Sequence, residues 1–237
     1  MTFRESIYRI TASLFGIRET AMAVPVLAGP ARGLWLRTEA AGTESSQSQK
    51  VLATSKRTTH LSQYVQRGWT VWDCSGEAGI STILFAKFVG QEGLVVAFEP
   101  ERKHFMRTYD NATLNGCNNI FFLFAAIGEP APKKAFAPPV CARQLSLDEA
   151  YQDGEIPIPQ LIRLDLTGTG ESSLNHCRQL ISEQRPYVVV DKYSPKSEQT
   201  LRAFAAEYRY DICSLDTNQP VEGELTGSLI LRPSEKR

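Results

Sequence analysis

The stretch that decides the fold is residues 71–100, which read VWDCSGEAGISTILFAKFVGQEGLVVAFEP. An apolar run ends at Asp73, a turn with two glycines follows, and a helical pattern begins at Gly79. A second apolar run, Leu94–Phe98, leads directly to the acidic Glu99. Because parallel strands need a long crossover between them, this order predicts a βαβ unit and a parallel sheet.

The alternation of apolar runs with helical patterns continues through the chain. The predicted strands are Trp69–Asp73, Leu94–Phe98, Ile120–Phe124, Leu161–Leu164 and Tyr187–Val190. The predicted helices are Gly79–Val89, Arg102–Asn115, Glu171–Glu183 and Ser197–Tyr208. Two last runs, Tyr210–Leu215 and Leu225–Leu231, predict an antiparallel C-terminal hairpin. We therefore predict an α/β fold, a Rossmann-like, doubly wound, mostly parallel sheet of seven strands with helices on both faces.

The residues before this alternation predict an extension. A helical pattern, a β-hairpin around a Gly-Pro turn and a second helical pattern occupy residues 7–15, 24–36 and 51–65. We expect residues 1–66 to pack as helix, hairpin and helix on a Rossmann domain formed by residues 67–237. Further on, Ser146-Leu147-Asp148-Glu149 has the pattern of a capping box and predicts a short helix.

The composition is that of an ordinary folded protein, with 42% hydrophobic and 22% charged residues. The 26 basic and 26 acidic residues cancel, so no global field attracts a polyanion or an anionic membrane. We expect neither nucleic acid nor a membrane as partner. The five cysteines are widely separated and predict neither a disulfide framework nor a metal site, so we expect reduced thiols and a cytoplasmic location.

The glycine turn has the features of a cofactor cradle. Ligands of doubly wound sheets bind at the carboxyl ends of the strands. Gly76 and Gly79 permit close backbone approach, and the free N–H groups at the helix start near Thr82 suit an anionic group. Glu99 ends the next strand, where a carboxylate accepts hydrogen bonds from a ribose diol. The pattern predicts a cofactor that contains adenosine.

A nicotinamide or flavin dinucleotide is the rival ligand. Its G-x-G-x-x-G fingerprint requires a glycine where this chain has Ser75. The acidic Asp73 faces the ammonium of S-adenosylmethionine more readily than it faces a pyrophosphate. We therefore predict S-adenosylmethionine as cofactor. The predicted cofactor-binding residues are Asp73, Ser75, Gly76, Glu77, Gly79, Thr82, Glu99 and Pro100.

Two aspartates are the predicted catalytic residues. Methyl transfer from a sulfonium is an in-line displacement, and a base helps when the acceptor is a hydroxyl. Asp165 ends the fourth predicted strand and Asp191 follows the fifth, so we expect both to point to the same edge of the pocket. Asp165 has an alternative role in ordering the turn at Thr167. A shared Mg²⁺ is a further alternative, but no third ligand is placed and we predict no metal.

The string Asp73-Cys74-Ser75-Gly76-Glu77-Ala78-Gly79-Ile80-Ser81-Thr82 resembles the D-[VI]-G-A-N-x-G-x-x-[ST] motif of the FkbM methyltransferases. The similarity continues through segments spread over most of the chain. They are GQEG at 90–93, VAFEP at 96–100, NATLNG at 111–116, AAIG at 125–128, LDE at 147–149 and LIRLDLTG at 161–168. The resemblance implies an S-adenosylmethionine-dependent methyltransferase that acts on a hydroxyl of a small metabolite or sugar.

Three positions depart from the motifs of that family. Ser75 replaces its first glycine, Glu77 its asparagine, and Thr167 the glutamate of its V-E-G segment. Glu77 brings a negative charge to the place expected for the methionine carboxylate, and like charges repel. These departures give a second hypothesis, a degenerate methyltransferase fold that acts without catalysis as a scaffold or binding module. A small-molecule hydroxyl acceptor is the expected partner, and homo-oligomer formation is left open.

Overall fold

The computed structural model describes residues 23–26, 31–37, 60–75, 79–129, 142–167 and 170–234. The predicted N-terminal helix and most of the predicted helix over residues 51–65 lie outside these ranges. So do Gly76 and Glu77, two of the predicted cofactor-binding residues.

The described strands and helices follow the predicted alternation. In chain order the strands are β1 (Ala23–Pro25), β2 (Trp35–Arg37), β3 (Thr70–Asp73), β4 (Leu94–Phe98), β5 (Ile120–Leu123), β6 (Ala125–Ile127), β7 (Arg143–Leu145), β8 (Leu161–Asp165), β9 (Tyr187–Lys192), β10 (Tyr210–Ser214) and β11 (Leu229–Pro233). The helices are α1 (Ile80–Val89), α2 (Arg102–Leu114), α3 (Leu147–Gln152), α4 (Gly170–Asn175), α5 (Arg178–Gln184) and α6 (Pro195–Tyr208).

Seven strands form one sheet in the order β5-β4-β3-β8-β9-β11-β10. The pairs from β5 to β9 are parallel, and β11 runs antiparallel to both β9 and β10. This confirms the predicted α/β fold with a mostly parallel seven-stranded sheet and a C-terminal hairpin. The chain moves outward from β3 to β5 and then returns to β8 on the other side of β3. A cleft opens at such a reversal of strand order.

Both faces of the central strands are buried, as near-continuous apolar strands predict. Val71 and Trp72 are both fully buried and belong to different core clusters on opposite faces. The Trp72 ring packs against Phe98 with ring centroids 5.6 Å apart, and its Nε1 donates to the carbonyl of Pro157 at 3.0 Å. Central strands held from both sides give the carboxyl edge of the sheet a fixed shape.

The N-terminal hairpin is confirmed, because β1 and β2 pair antiparallel. Leu34 and Leu36 pack in one apolar cluster with Ile80 and Ile83 of α1 and Ala112 of α2. The hairpin therefore rests on the first two helices. The division of the chain at residue 66 stays a prediction. Among the described helices, none is both long and apolar enough to cross a lipid bilayer.

The predicted helix over Glu171–Glu183 is wrong as a single element, because the structure breaks it into α4 and α5. Cys177 lies at the break with non-helical backbone angles, φ −132° and ψ 18°. Asp148 accepts hydrogen bonds from the backbone N–H groups of Gln179 and Leu180 at 3.2 and 2.9 Å. A carboxylate from α3 thus caps the start of α5, which local helical spacing does not reveal.

The short helix predicted from the capping box at Ser146 is confirmed. Ser146 accepts from the N–H of Glu149 at 3.0 Å, and the Glu149 carboxylate accepts from the N–H of Ser146 at 2.9 Å. This reciprocal pair is the predicted capping box. The small parallel sheet of β6 and β7 was not predicted from the sequence, because each strand has only three residues.

Both the backbone conformation and the close neighbours of residue 79 require a glycine at the start of α1. Its φ is +82°, and a Cβ atom there would lie 2.7–2.9 Å from side-chain and backbone atoms of Thr108 on α2. We predict that Gly79→Ala lowers the free energy of unfolding by about 3 kcal/mol, from left-handed strain plus the clash.

Gly116→Ala is the matched control for that measurement, which uses urea unfolding. Gly116 has a φ of +65°, and no described atom lies within 4 Å of the added Cβ. The control should lose only about 1 kcal/mol, the cost of the left-handed backbone. Equal losses in the two variants would contradict the close helix contact at Gly79.

Candidate functional site

A cleft of about 260 Å³ opens at the carboxyl ends of β3, β4 and β8. Four predicted site residues lie in its wall: Ser75, Glu99, Pro100 and Asp165. The other described lining residues are Cys74, Phe98, His104, Ala125, Ala126, Ile127, Leu164, Thr167 and Ser173. Apolar side chains and a few polar groups share this wall, a lining that suits a small ligand with an apolar ring and polar substituents.

Glu99 is one of two carboxylates among the described residues that line this cleft. The residue is 8% exposed and follows β4 directly. Its Oε1 accepts from the backbone N–H of Glu101 at 2.8 Å, and its own N–H donates to the carbonyl of Leu123 at 3.1 Å. The bond from Glu101 fixes the direction of this carboxylate at the edge of the cleft.

Asp165 lies where β8 reaches the cleft. The pairing of β8 with β9 shifts register between Leu164 and Asp165. The Oδ1 of Asp165 accepts from both the backbone N–H and the hydroxyl of Thr167, at 2.9 and 2.5 Å. The structure therefore shows the turn-ordering role that the sequence offered as an alternative. The role of Asp165 as a proton acceptor stays a prediction.

Asp73 and Thr82 lie beneath the cleft, and neither is among the residues that line it. Both are fully buried, and the Thr82 hydroxyl donates to Oδ2 of Asp73 at 2.7 Å. Oδ1 of Asp73 accepts from Nη1 of Arg163 at 3.0 Å. Thr82 thus bonds to Asp73, and Asp73 bonds to Arg163, so these two predicted cofactor-binding side chains lie behind the cleft wall and support it.

Arg163 is a site residue that the sequence prediction missed. It lies in β8 and is only 3% exposed. Its Nε and Nη2 contact Oδ2 of Asp191 at 2.6 and 2.5 Å, while its Nη1 donates to the carbonyl of Ser75 at 2.8 Å. The sequence did contain a signal for Arg163, since it is a charged residue inside the apolar run Leu161–Leu164. A charge at a buried position requires partners.

Electrostatics keep this buried guanidinium charged. Burial by itself lowers the pKa of Arg163, since it disfavours the charged form. The negative charges of Asp191 and Asp73 outweigh that effect, and the pKa ends above its ordinary value. For Cys74, burial and then the charge of Asp73 raise the pKa of the thiol well above its usual range. Cys74 is therefore protonated and a poor nucleophile.

The two predicted catalytic aspartates lie at different clefts. Asp165 lines the cleft described above, whereas Asp191 lines a second, open cleft of about 550 Å³ together with Tyr193, Asp216 and Ser228. The structure therefore does not bring the two together as the sequence led us to expect. Within the described ranges, no three His, Cys, Asp or Glu side chains cluster as a metal site requires.

Comparison with known proteins identifies the architecture. The sequence matches no family model and is not significantly similar to any curated protein. A SAM-dependent O-methyltransferase from Thermotoga maritima matches 77% of this chain and 66% of its own, with a TM-score of 0.51 and 13% identity. The fold is the Rossmann-like fold of methyltransferases.

Two further solved structures share this fold. The methyltransferase FkbM from Methylobacillus flagellatus matches 76% of this chain and 54% of its own, with a TM-score of 0.50 and 16% identity. An rRNA methylase from Streptococcus thermophilus matches 76% of this chain and 96% of its own, with a TM-score of 0.50 and 12% identity. At such identities the likeness establishes the fold alone, so membership in the FkbM family stays a prediction.

The bond between Thr82 and Asp73 supports the cleft, and its removal is measurable. We predict that Thr82→Val lowers the free energy of unfolding by about 1–2 kcal/mol, because Asp73 loses a buried donor. Thr108→Val is the matched control, since the Thr108 hydroxyl is buried with no partner among the described residues. Urea unfolding should show the control to be neutral or stabilised. Equal losses would contradict the support role of Thr82.

Proposed function

We propose that this chain is an S-adenosylmethionine-dependent methyltransferase of the FkbM type, which methylates a hydroxyl of a small metabolite or sugar. The observation that carries the proposal is the position of Glu99. Its carboxylate is held at the cleft where the strand order of a methyltransferase fold reverses. At this place a carboxylate binds the ribose diol of a nucleoside cofactor.

The described residues of the cleft fit S-adenosylmethionine. Ala126 and Ile127, both partly exposed, offer an apolar surface to the adenine, and the Glu99 carboxylate is placed to accept from the ribose. Ser75 adds a hydroxyl with no partner among the described residues. When bound, this cofactor supplies an electrophilic methyl group on a sulfonium. The parts that Gly76 and Glu77 play in its binding rest on the sequence motif.

Proton removal from the acceptor hydroxyl is assigned to Asp165. Its Oδ1 is held by Thr167, so the carboxylate has a fixed direction at the cleft. Asp191 was the second predicted base. Its Oδ2 already carries two contacts from Arg163, and a proton placed there would compete with that ion pair.

The lining of the cleft favours a small, uncharged acceptor. None of the described residues that line it is a lysine or an arginine. The formal charge of the whole chain is zero. A polyanionic acceptor such as RNA needs positive charge along its path. We therefore propose a small hydroxylated molecule, although an rRNA methylase shares the fold.

Glu99→Gln tests the cofactor site directly. The substitution keeps the side-chain shape and removes the charge, and we expect it to weaken the binding of S-adenosylmethionine and S-adenosylhomocysteine by about 1.5–3 kcal/mol. Isothermal titration calorimetry measures both ligands. Glu92→Gln is the control, since that side chain is exposed and lies outside the cleft wall. Equal affinities in wild type and Glu99→Gln would refute the role of Glu99.

The same titration decides between the enzyme and the scaffold hypothesis. If wild-type protein binds neither ligand at millimolar concentration, the proposed function fails. The chain would then be a methyltransferase fold without its cofactor.

Asp165→Asn tests the proposed base. Loss of a general base lowers turnover by about 10²-fold or more, while donor affinity stays at the wild-type value. The measurement is transfer of labelled methyl to a hydroxyl acceptor found by screening metabolites with the wild-type protein. Asp153→Asn is the control, because its carboxylate pairs with Arg143 at the surface. Full turnover in Asp165→Asn would remove the assignment.

A further inference from the structure

The backbone that leaves β3 is tied at two places to one residue of β8. The N–H of Cys74 donates to the backbone carbonyl of Arg163 at 3.0 Å. The carbonyl of Ser75 accepts from Nη1 of the same arginine at 2.8 Å. Because Cys74 and Ser75 both line the cleft, Arg163 sets the position of this part of its wall.

Asp191 sets the direction of that arginine. Its Oδ2 contacts Nε and Nη2, which form one edge of the guanidinium. A guanidinium is planar and rigid, so fixing one edge also fixes where the remaining nitrogen points. That nitrogen, Nη1, reaches Asp73 and Ser75. The contacts thus run from Asp191 on β9 through Arg163 on β8 to the end of β3.

Burial makes these contacts strong and sensitive to change. The side chains of Asp73, Arg163 and Asp191 are 0%, 4% and 6% exposed. Away from water, charged hydrogen bonds are stronger, and a change in one member alters the others. Loss of charge at Asp191 therefore changes the geometry at Ser75, although Asp191 lines a different cleft.

We propose that Asp191 and Arg163 are positioning residues for cofactor binding. Asp191 orients the guanidinium, and Arg163 holds the Ser75 carbonyl and the Asp73 carboxylate behind the cleft. The inference rests on the proposed function, because cofactor affinity is its main readout. It gives Asp191 a role in donor binding in place of proton removal from the acceptor.

Asp191→Asn separates the two roles. The amide keeps an oxygen for Arg163, and Asp73 still neutralises the guanidinium, so the variant should fold. We expect the Kd of S-adenosylhomocysteine, measured by calorimetry without acceptor, to rise about five- to tenfold. Loss of a base is instead measured as slower turnover with an acceptor, because no proton is transferred in this binary complex.

Two further variants distinguish a positioning role of Asp191 from a purely structural one. Asp148→Asn removes a carboxylate that caps α5 and lies outside the cleft wall. It should lower the melting temperature and leave the Kd unchanged. Arg163→Lys keeps the positive charge but cannot bond Asp191 and Ser75 in one plane, so its Kd should rise as in Asp191→Asn. The double variant should be little weaker than either single one, because both act on one path.

Hydrogen exchange gives a readout that needs no ligand. In Asp191→Asn the backbone amides of residues 73–75 should exchange faster than in wild type and in Asp148→Asn. The exchange rate of these amides reports how strongly Arg163 stabilises the end of β3.

The outcomes separate the inference from the proposed function. If wild type binds S-adenosylhomocysteine, and Asp191→Asn and Arg163→Lys bind it equally well with unchanged exchange, the inference is overturned and the proposed function stands. If wild type binds neither cofactor form, the proposed function fails. Faster exchange at residues 73–75 in Asp191→Asn would then show only that Asp191 and Arg163 stabilise the end of β3, and the role in cofactor binding would fail with the proposed function.

Discussion

A buried guanidinium between two carboxylates joins three neighbouring strands at the edge where the cleft opens. Arg163 on β8 bonds Asp73 on β3 and Asp191 on β9, and all three side chains are almost inaccessible to water. Removing the guanidinium would leave two buried carboxylates without their counter-charge, which costs about 3–5 kcal/mol. An exposed ion pair contributes only about 0–1 kcal/mol. The mutual alignment of these strand ends is therefore strongly enforced.

This alignment suits a reaction that depends on placement. Methyl transfer from a sulfonium needs an aligned acceptor and a site without water, and it needs few reactive side chains. In the wall of the cleft, the thiol of Cys74 is protonated and the Glu99 carboxylate accepts from a backbone N–H. In the proposed function, the other groups around the cleft hold the backbone or bind the cofactor. Asp165 alone is proposed to accept a proton.

Much of the fold was readable from the sequence because its signals are local. The strand predicted at Leu94–Phe98 has those bounds in the structure, and the capping box at Ser146 forms as predicted. The break near Cys177 was not readable. It depends on Asp148, which meets the start of α5 only after the chain has folded. A helical pattern describes one segment and contains no information about a cap that comes from another.

The sequence by itself determined a parallel sheet with a cleft near the ends of β3 and β4. Apolar runs, a glycine turn and the acidic Glu99 are properties of one short segment. The tertiary structure alone decided which charges meet. Arg163 is 90 positions from Asp73 and 28 from Asp191, and they come together because β8 lies between β3 and β9. It also placed Asp165 and Asp191 at different clefts, because strand order and register, which no local pattern encodes, set where each side chain points.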